Sequence, residues 1–174
     1  MTTEELNNLP GHISLENIFT LQKYLGKGLI IDVGTCMGKS AICIEDTGAE
    51  VLTCDPLFNA SESQLEELNE RLKGKRIKFF RETSEEFGLK HCPIIDGCFI
   101  DGVHNYIGVK SDIEGIVTKV RPGGYVLFHD ANLYSNTIPV AIKEFEGILY
   151  EFVEEAGGRL DDPKEGSIWV GKRI

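Results

Sequence analysis

Residues 29–40 read LIIDVGTCMGKS: an apolar strand, Leu29 to Val33, runs through an acidic residue into a glycine-bearing turn that opens a helix. In open α/β sheets, ligands sit outside the carboxyl ends of the parallel strands. There, glycines let backbone N–H groups approach, and the next helix presents its N-terminus. On that reading Gly34 and Gly38 shape the turn, Asp32 sits at the strand tip and Ser40 enters the first helical turn. Spacing then narrows the ligand. A phosphate-cradling P-loop places four residues between its first glycine and Gly-Lys-Ser/Thr, whereas Gly34 and Gly38 enclose three. A dinucleotide fingerprint needs G-x-G-x-x-G, and this turn is G-x-x-x-G. The GKS is therefore incidental, and acid-x-Gly-x-x-x-Gly remains.

Outward from this turn the chain alternates helix and strand. Leu15, Ile18, Leu21 and Leu25 recur at helical spacing before the first strand, with Ser14 as cap. A helix over 39–46, a strand at Val51–Cys54, a helix carrying Leu65, Leu68 and Leu72, and a strand at Ile77–Phe80 follow. A short helix over 84–90 leads to a strand at Cys98–Asp101. Val109, Ile113, Ile116, Val117 and Val120 form the clearest apolar stripe, closed by Arg121-Pro122-Gly123-Gly124. Strands at Tyr125–Phe128, Leu149–Val153 and Ile168–Val170 complete the set, with a helix from Ile138 towards Leu149. The pattern predicts an α/β fold with a doubly wound, seven-stranded, mostly parallel sheet. The connection from Glu154 to Ser167 has no helical pattern, so the last strand is expected to be antiparallel to its predecessor.

The 174 residues fit one domain: an N-terminal helical segment over 1–27 and a core over 28–174 that would bury roughly 70% of the unfolded surface. A net charge of −10 with no basic stripe argues against a nucleic-acid partner, since Lys and Arg on phosphates supply most of that affinity. No apolar run spans a bilayer and no leader pattern is present, so no membrane partner and a soluble, cytoplasmic location are expected. Five cysteines without C-x-x-C argue against zinc and disulfides.

Acid-x-Gly-x-x-x-Gly resembles the first motif of class I S-adenosylmethionine-dependent methyltransferases, and D-V-G-T-x-x-G-K-S their small O-methyltransferase branch. The stretches FIDGVHNYIGVKSDI (99–113) and RPGGYVLFHDAN (121–132) resemble the later strand motifs of a group that includes macrolide-sugar and catechol methyltransferases. The resemblance runs from about Gly28 to the C-terminus. It implies S-adenosylmethionine as cofactor and a hydroxyl of a small molecule, such as a sugar or phenol, as methyl acceptor. It also implies that Asp32, Gly34, Thr35 and Gly38 hold the methionine part, Asp55 the ribose, and Thr83 and Ser84 the adenine edge. Asp55 stands 21 residues after Gly34, where a carboxylate can accept from both ribose hydroxyls.

Methyl transfer to oxygen needs an aligned acceptor whose proton is removed or acidified. Asp101, His129 and Asp130 end two strands expected to be neighbours, where they would hold Mg²⁺ or Mn²⁺ beside the cofactor sulfur. The catechol-type motif has Asn where this chain has Ala131, and the macrolide-sugar type has an acid where it has His129. His104, three residues after Asp101, is the candidate general base of a metal-free reaction. His12 and His91 read as surface residues. Two other classes compete: a P-loop-like nucleotide-binding phosphotransferase, with Asp101 and Asp130 imitating Walker acids, and a cofactor-binding module without catalysis. No long insertion supplies a lid, so the pocket is either open or completed by a second copy in a homo-oligomer.

Overall fold

The computed structural model describes residues 1–134, 136–157 and 166–174. Two helices, α1 (Thr3–Asn7) and α2 (Leu15–Leu25), precede the first strand, β1 (Leu29–Val33). Ser14 caps α2 by accepting from the amide of Asn17, as the sequence predicts. Then follow α3 (Lys39–Glu45), β2 (Glu50–Cys54), α4 (Glu62–Leu72), β3 (Ile77–Phe80), α5 (Ser84–Lys90), β4 (Ile95–Ile100) and α6 (Tyr106–Gly115). A 3₁₀ turn over Val117–Lys119 leads to β5 (Val120–His129), α7 (Ile138–Phe145), β6 (Tyr150–Ala156) and β7 (Ile168–Arg173).

The seven strands form one sheet in the order β3-β2-β1-β4-β5-β7-β6. β7 runs antiparallel between β5 and β6, and the other pairings are parallel. This is the doubly wound architecture expected from the alternation of elements. The order reverses beside β1, whose two parallel neighbours are β2 and β4. A crevice opens at that reversal.

Alternation along the strands supplies both halves of the core. Ile31, Val33, Cys98, Ile100, Val126 and Phe128 face one way, against Phe87, Val109, Ile113, Ile138 and Ile142 of α5, α6 and α7. Ile30, Val51, Phe99, Leu127, Ile168 and Val170 face the other way, against Leu6, Ile18, Leu21, Leu25, Cys43 and Ile44 of α1, α2 and α3. His129 continues the row of Leu127 and is therefore directed to the side covered by α2.

Three local expectations are corrected. Arg121-Pro122-Gly123-Gly124 lies inside β5 rather than before it: β5 pairs with β4 at Val120, and the register shifts before Tyr125. Gly123, at φ +84°, takes up the irregularity. The apolar stripe from Val109 to Val120 is not one helix, because α6 ends at Gly115 and a 3₁₀ turn carries Val117. The helix starting at Ile138 stops at Phe145 and does not reach Leu149. The connection from Glu154 to Ser167 lies partly outside the described residues. Among the described residues no helix is long and apolar enough to cross a membrane.

Candidate active site

The turn after β1 is set by close backbone approach. Asp101 N–H donates to Val33 O at 2.9 Å and Gly34 N–H to Cys54 O at 2.9 Å, so the tips of β1, β2 and β4 are locked together. At Gly34, φ is +96° and a Cβ would lie 2.1 Å from the Asp101 carbonyl oxygen, so only glycine fits. Gly38, at φ +85°, is the N-cap of α3 and leaves room for Leu68 and Leu72.

A cavity of about 780 Å³ follows the carboxyl ends of the strands and is large enough for a cofactor together with an acceptor. Sheet order places its wall residues in sequence. Thr83 and Ser84 follow β3, Asp55 follows β2, Gly34 follows β1, Asp101 and His104 follow β4, and His129 and Asp130 close β5.

Asp32, Thr35, Gly38 and Ser40 stand behind this wall rather than on it. Asp32 is fully buried and accepts from Thr53 Oγ1 at 2.6 Å, and the hydroxyls of Thr35 and Thr53 lie 2.6 Å apart. Burial pushes the Asp32 carboxyl up to about 7. These residues stiffen the turn from beneath. Asp55 is on the wall, its Oδ2 accepting from Cys36 N–H and its Oδ1 from Leu57 N–H, both at 2.9 Å. Each carboxylate oxygen keeps acceptor capacity towards the cavity.

Thr83 is the N-cap of α5 in a capping box with Glu86. Ser84 donates its hydroxyl to Asp112 of α6, a carboxyl only 3% exposed that burial pushes up to about 7. The proton bound to folded Asp112 has a stability consequence. Unfolded, the group titrates near 3.8, so its contribution is full below about pH 4 and is lost as pH rises through about 7. Asp112→Asn keeps the acceptor for Ser84 and removes the charge. Its urea midpoint should therefore gain on that of the parent chain between about pH 5 and about pH 9. A constant difference across that range would refute the protonated, buried carboxyl.

At the other end four titratable groups converge. His104 Nε2 lies 3.2 Å from Asp101 Oδ1 and 3.4 Å from Asp130 Oδ2. His129 Nδ1 lies 3.1 Å from Asp101 Oδ1 and 3.2 Å from Asp130 Oδ1. Asp130 is in the left-handed region at φ +57°, a conformation Asp tolerates, and this turns its carboxylate back towards Asp101. Burial would raise the Asp101 carboxyl, but hydrogen bonds from His104 and His129 outweigh it and hold the group below its ordinary range. The hydrogen bond to Asp101, opposed by burial and helped by the charge of Asp130, raises His104. Burial raises Asp130.

Ligand atoms of Asp101, His104 and Asp130 lie within 4.8 Å of one another, a donor set that fits a divalent cation. The sequence offers His129 as the imidazole of such a set, whereas the three ligand atoms grouped here include that of His104. Both His129 nitrogens are committed, Nδ1 to the two carboxylates and Nε2 to Asn17 Nδ2 at 2.9 Å. His12 is exposed, as the sequence predicts, and also lines the cavity. His91 stays at the surface beside Glu82 and Phe80. Lys39, the lysine of the GKS, donates to Asn7 O at 3.1 Å and is absent from the cavity wall, so it cannot serve as a phosphate-binding lysine there.

The sequence reading missed Asn17, which is 1% exposed and abuts this cluster. Its signal was a polar residue four positions before Leu21 and one before Ile18, on the buried face of an amphipathic helix.

No curated protein sequence matches the chain. Among solved structures, TrmN from Thermus thermophilus is similar with a TM-score of 0.72 at 16% identity, over 98% of this chain. The chain spans 52% of TrmN's length. SMU.1697c from Streptococcus mutans, a putative methyltransferase crystallised with SAH, gives a TM-score of 0.70 at 13% identity, over 90% of this chain and 95% of that one. The 1,6-didemethyltoxoflavin-N1-methyltransferase of Burkholderia thailandensis, with S-adenosylhomocysteine bound, gives 0.67 at 16% identity, over 90% and 76%. At these identities the likeness is one of fold, and it is the sequence model of the methyltransferase domain that carries membership, matching residues 31–131 from the middle of β1 to just past β5. With more than half of its length inside that match, and with the sheet order and strand-end cavity described above, the chain belongs to the methyltransferase domain family.

Proposed function

We propose that this protein transfers the methyl group of S-adenosylmethionine to a hydroxyl of a small molecule. The observation that carries the reading is the convergence of Asp101, His104 and Asp130 on a cavity whose wall also holds Asp55. Asp55 would take the ribose hydroxyls, and Ser84 and Thr83 the adenine edge, with the turn at Gly34 beneath the methionine part. The sulfonium would then face Asp101 and Asp130, whose negative charge favours the cation over the neutral thioether product.

His104 is the general base of this reading. Its Nε2 lies between the two carboxylates, which hold the imidazolium that forms when the acceptor's proton arrives. The donor set within 4.8 Å favours a second form of the same chemistry, in which Asp101, His104 and Asp130 would hold Mg²⁺ or Mn²⁺. Such a cation would lower the pKa of the acceptor hydroxyl. Turnover surviving EDTA supports the His104 base, and turnover restored only by added metal supports the cation.

A small molecule fits better than nucleic acid, because Asp55, Glu85, Asp101, Asp112 and Asp130 line the cavity, whereas no described lysine or arginine does. The first test is calorimetric titration with S-adenosylhomocysteine. Asp55→Ala should weaken binding about 10- to 100-fold, as expected for loss of hydrogen bonds to a charged acceptor. Equal affinity in the variant would remove Asp55 from the ribose site. Binding without turnover on any acceptor would favour a module without catalysis.

A further inference from the structure

We infer that Asn17 is a positioning residue of the active site: its side-chain amide holds His129 as the Nδ1-protonated tautomer and so aims one ring N–H at the Asp101–Asp130 pair. The inference rests on the reading of that pair as the reacting end of the cavity, although its geometry stands without it.

Asn17 lies in the first turn of α2, outside the 31–131 stretch that the family model matches, and its side chain is buried. Its Nδ2 approaches two groups, the Gly166 carbonyl oxygen and His129 Nε2, each at 2.9 Å. The carbonyl can only accept, so it fixes which way the amide faces. A flipped amide would set oxygen against oxygen there. With one N–H on Gly166, the other is directed at Nε2, which must then present its lone pair. In the neutral ring the proton is left on Nδ1, 3.1 Å from Asp101 Oδ1 and 3.2 Å from Asp130 Oδ1. The ring is further confined by Phe99, edge-on at 5.8 Å between centroids.

The setting is built tightly around this amide. A Cβ at Gly157 would lie 2.1 Å from Asn17 Oδ1, and one at Gly166 would lie 1.7 Å from Asp130 Oδ1. Backbone on both sides of the 158–165 stretch therefore packs against Asn17 and Asp130. Among the described residues, the charged or titratable groups facing His129 are Asp101 and Asp130, with His104 beyond them on the same carboxylates, while α2 contributes the neutral amide. His129 is thereby held as an orienting donor. Both carboxylates keep their remaining lone pairs for His104 and for whatever occupies the cavity.

The tautomer can be read without knowing the acceptor, by ¹⁵N NMR of histidine-labelled, EDTA-treated protein at one mildly alkaline pH. His12→Gln and His91→Gln variants remove the signals of those two rings. His129 should show a protonated Nδ1 and an unprotonated Nε2. Asn17→Asp, whose carboxylate demands an N–H from the ring, should protonate Nε2. SAH affinity should change by less than about threefold, which certifies the fold. With an acceptor in hand, Asn17→Asp and Asn17→Ser should each lose about 10- to 100-fold in turnover. A protonated Nε2 in the native protein overturns the inference with no variant needed. So does an unchanged His129 signature in a folded Asn17→Asp protein. Failure of the methyltransferase chemistry would leave the native NMR signature intact, so the two failures are distinguishable.

Discussion

Gly34→Ala should cost this protein about 2–6 kcal/mol of stability, a large part of what a domain of this size possesses. Two effects add. The backbone at Gly34 sits at φ +96°, where an L side chain is strained, and the added carbon would stand 2.1 Å from the Asp101 carbonyl oxygen. That oxygen belongs to backbone, so relief requires β1 and β4 to part at the tips that carry the site. Gly74→Ala separates the two effects. Gly74 is also left-handed, at φ +75°, but has nothing within 4 Å of its missing carbon, so it should show the strain alone, about 1 kcal/mol. Urea unfolding of both variants reads the difference. If Gly34→Ala costs no more than Gly74→Ala, the close approach of the two strand tips is not what requires glycine there.

That pair of glycines also shows what a sequence can reveal. Spacing identified Gly34 as the turn residue, because a strand followed by a glycine turn and a helix is a local pattern. The partner that makes glycine obligatory, Asp101, is 67 residues away. Strand and helix limits were legible wherever periodicity and caps were local, as at Leu29–Val33, Ile77–Phe80 and Ser84–Lys90. They failed where pairing decides them: β5 begins at Val120, before its own Pro-Gly-Gly, because β4 offers a partner there. Asp101 and Asp130 were legible as residues at the ends of adjacent strands, and His104 as a loop residue three positions after Asp101. The exchange of His104 for His129 in the candidate ligand set was not. On the tautomer inferred above it follows from Asn17 of α2, whose side-chain amide meets the second nitrogen of His129. His12 is at the surface as expected, but nothing in its neighbourhood along the chain records that it also borders the cavity.

Asp101→Asn should lower methyl transfer by about 10²- to 10⁴-fold while leaving S-adenosylhomocysteine affinity within a few-fold of the parent. The amide keeps an oxygen where Oδ1 accepts from His104 and His129, so the local geometry has a path to survive. What disappears is the charge. A sulfonium loses a counter-ion that the neutral thioether never needed, so affinity should fall for S-adenosylmethionine and not for its product. The same loss changes His104. Its hydrogen bond to Asp101 is the largest influence raising its pKa, so the neutral ring needed to take a proton predominates only above the ordinary value near 6.5. In the Asp101→Asn variant that value falls, and the acidic limb of the pH–rate profile, recorded without added metal, should move to lower pH even as its plateau drops. A plateau that drops with the limb fixed would leave Asp101 a role in binding the sulfonium and remove His104 as the base. A limb that moves with no loss of rate would leave the carboxylate tuning His104 without acting on the methyl group.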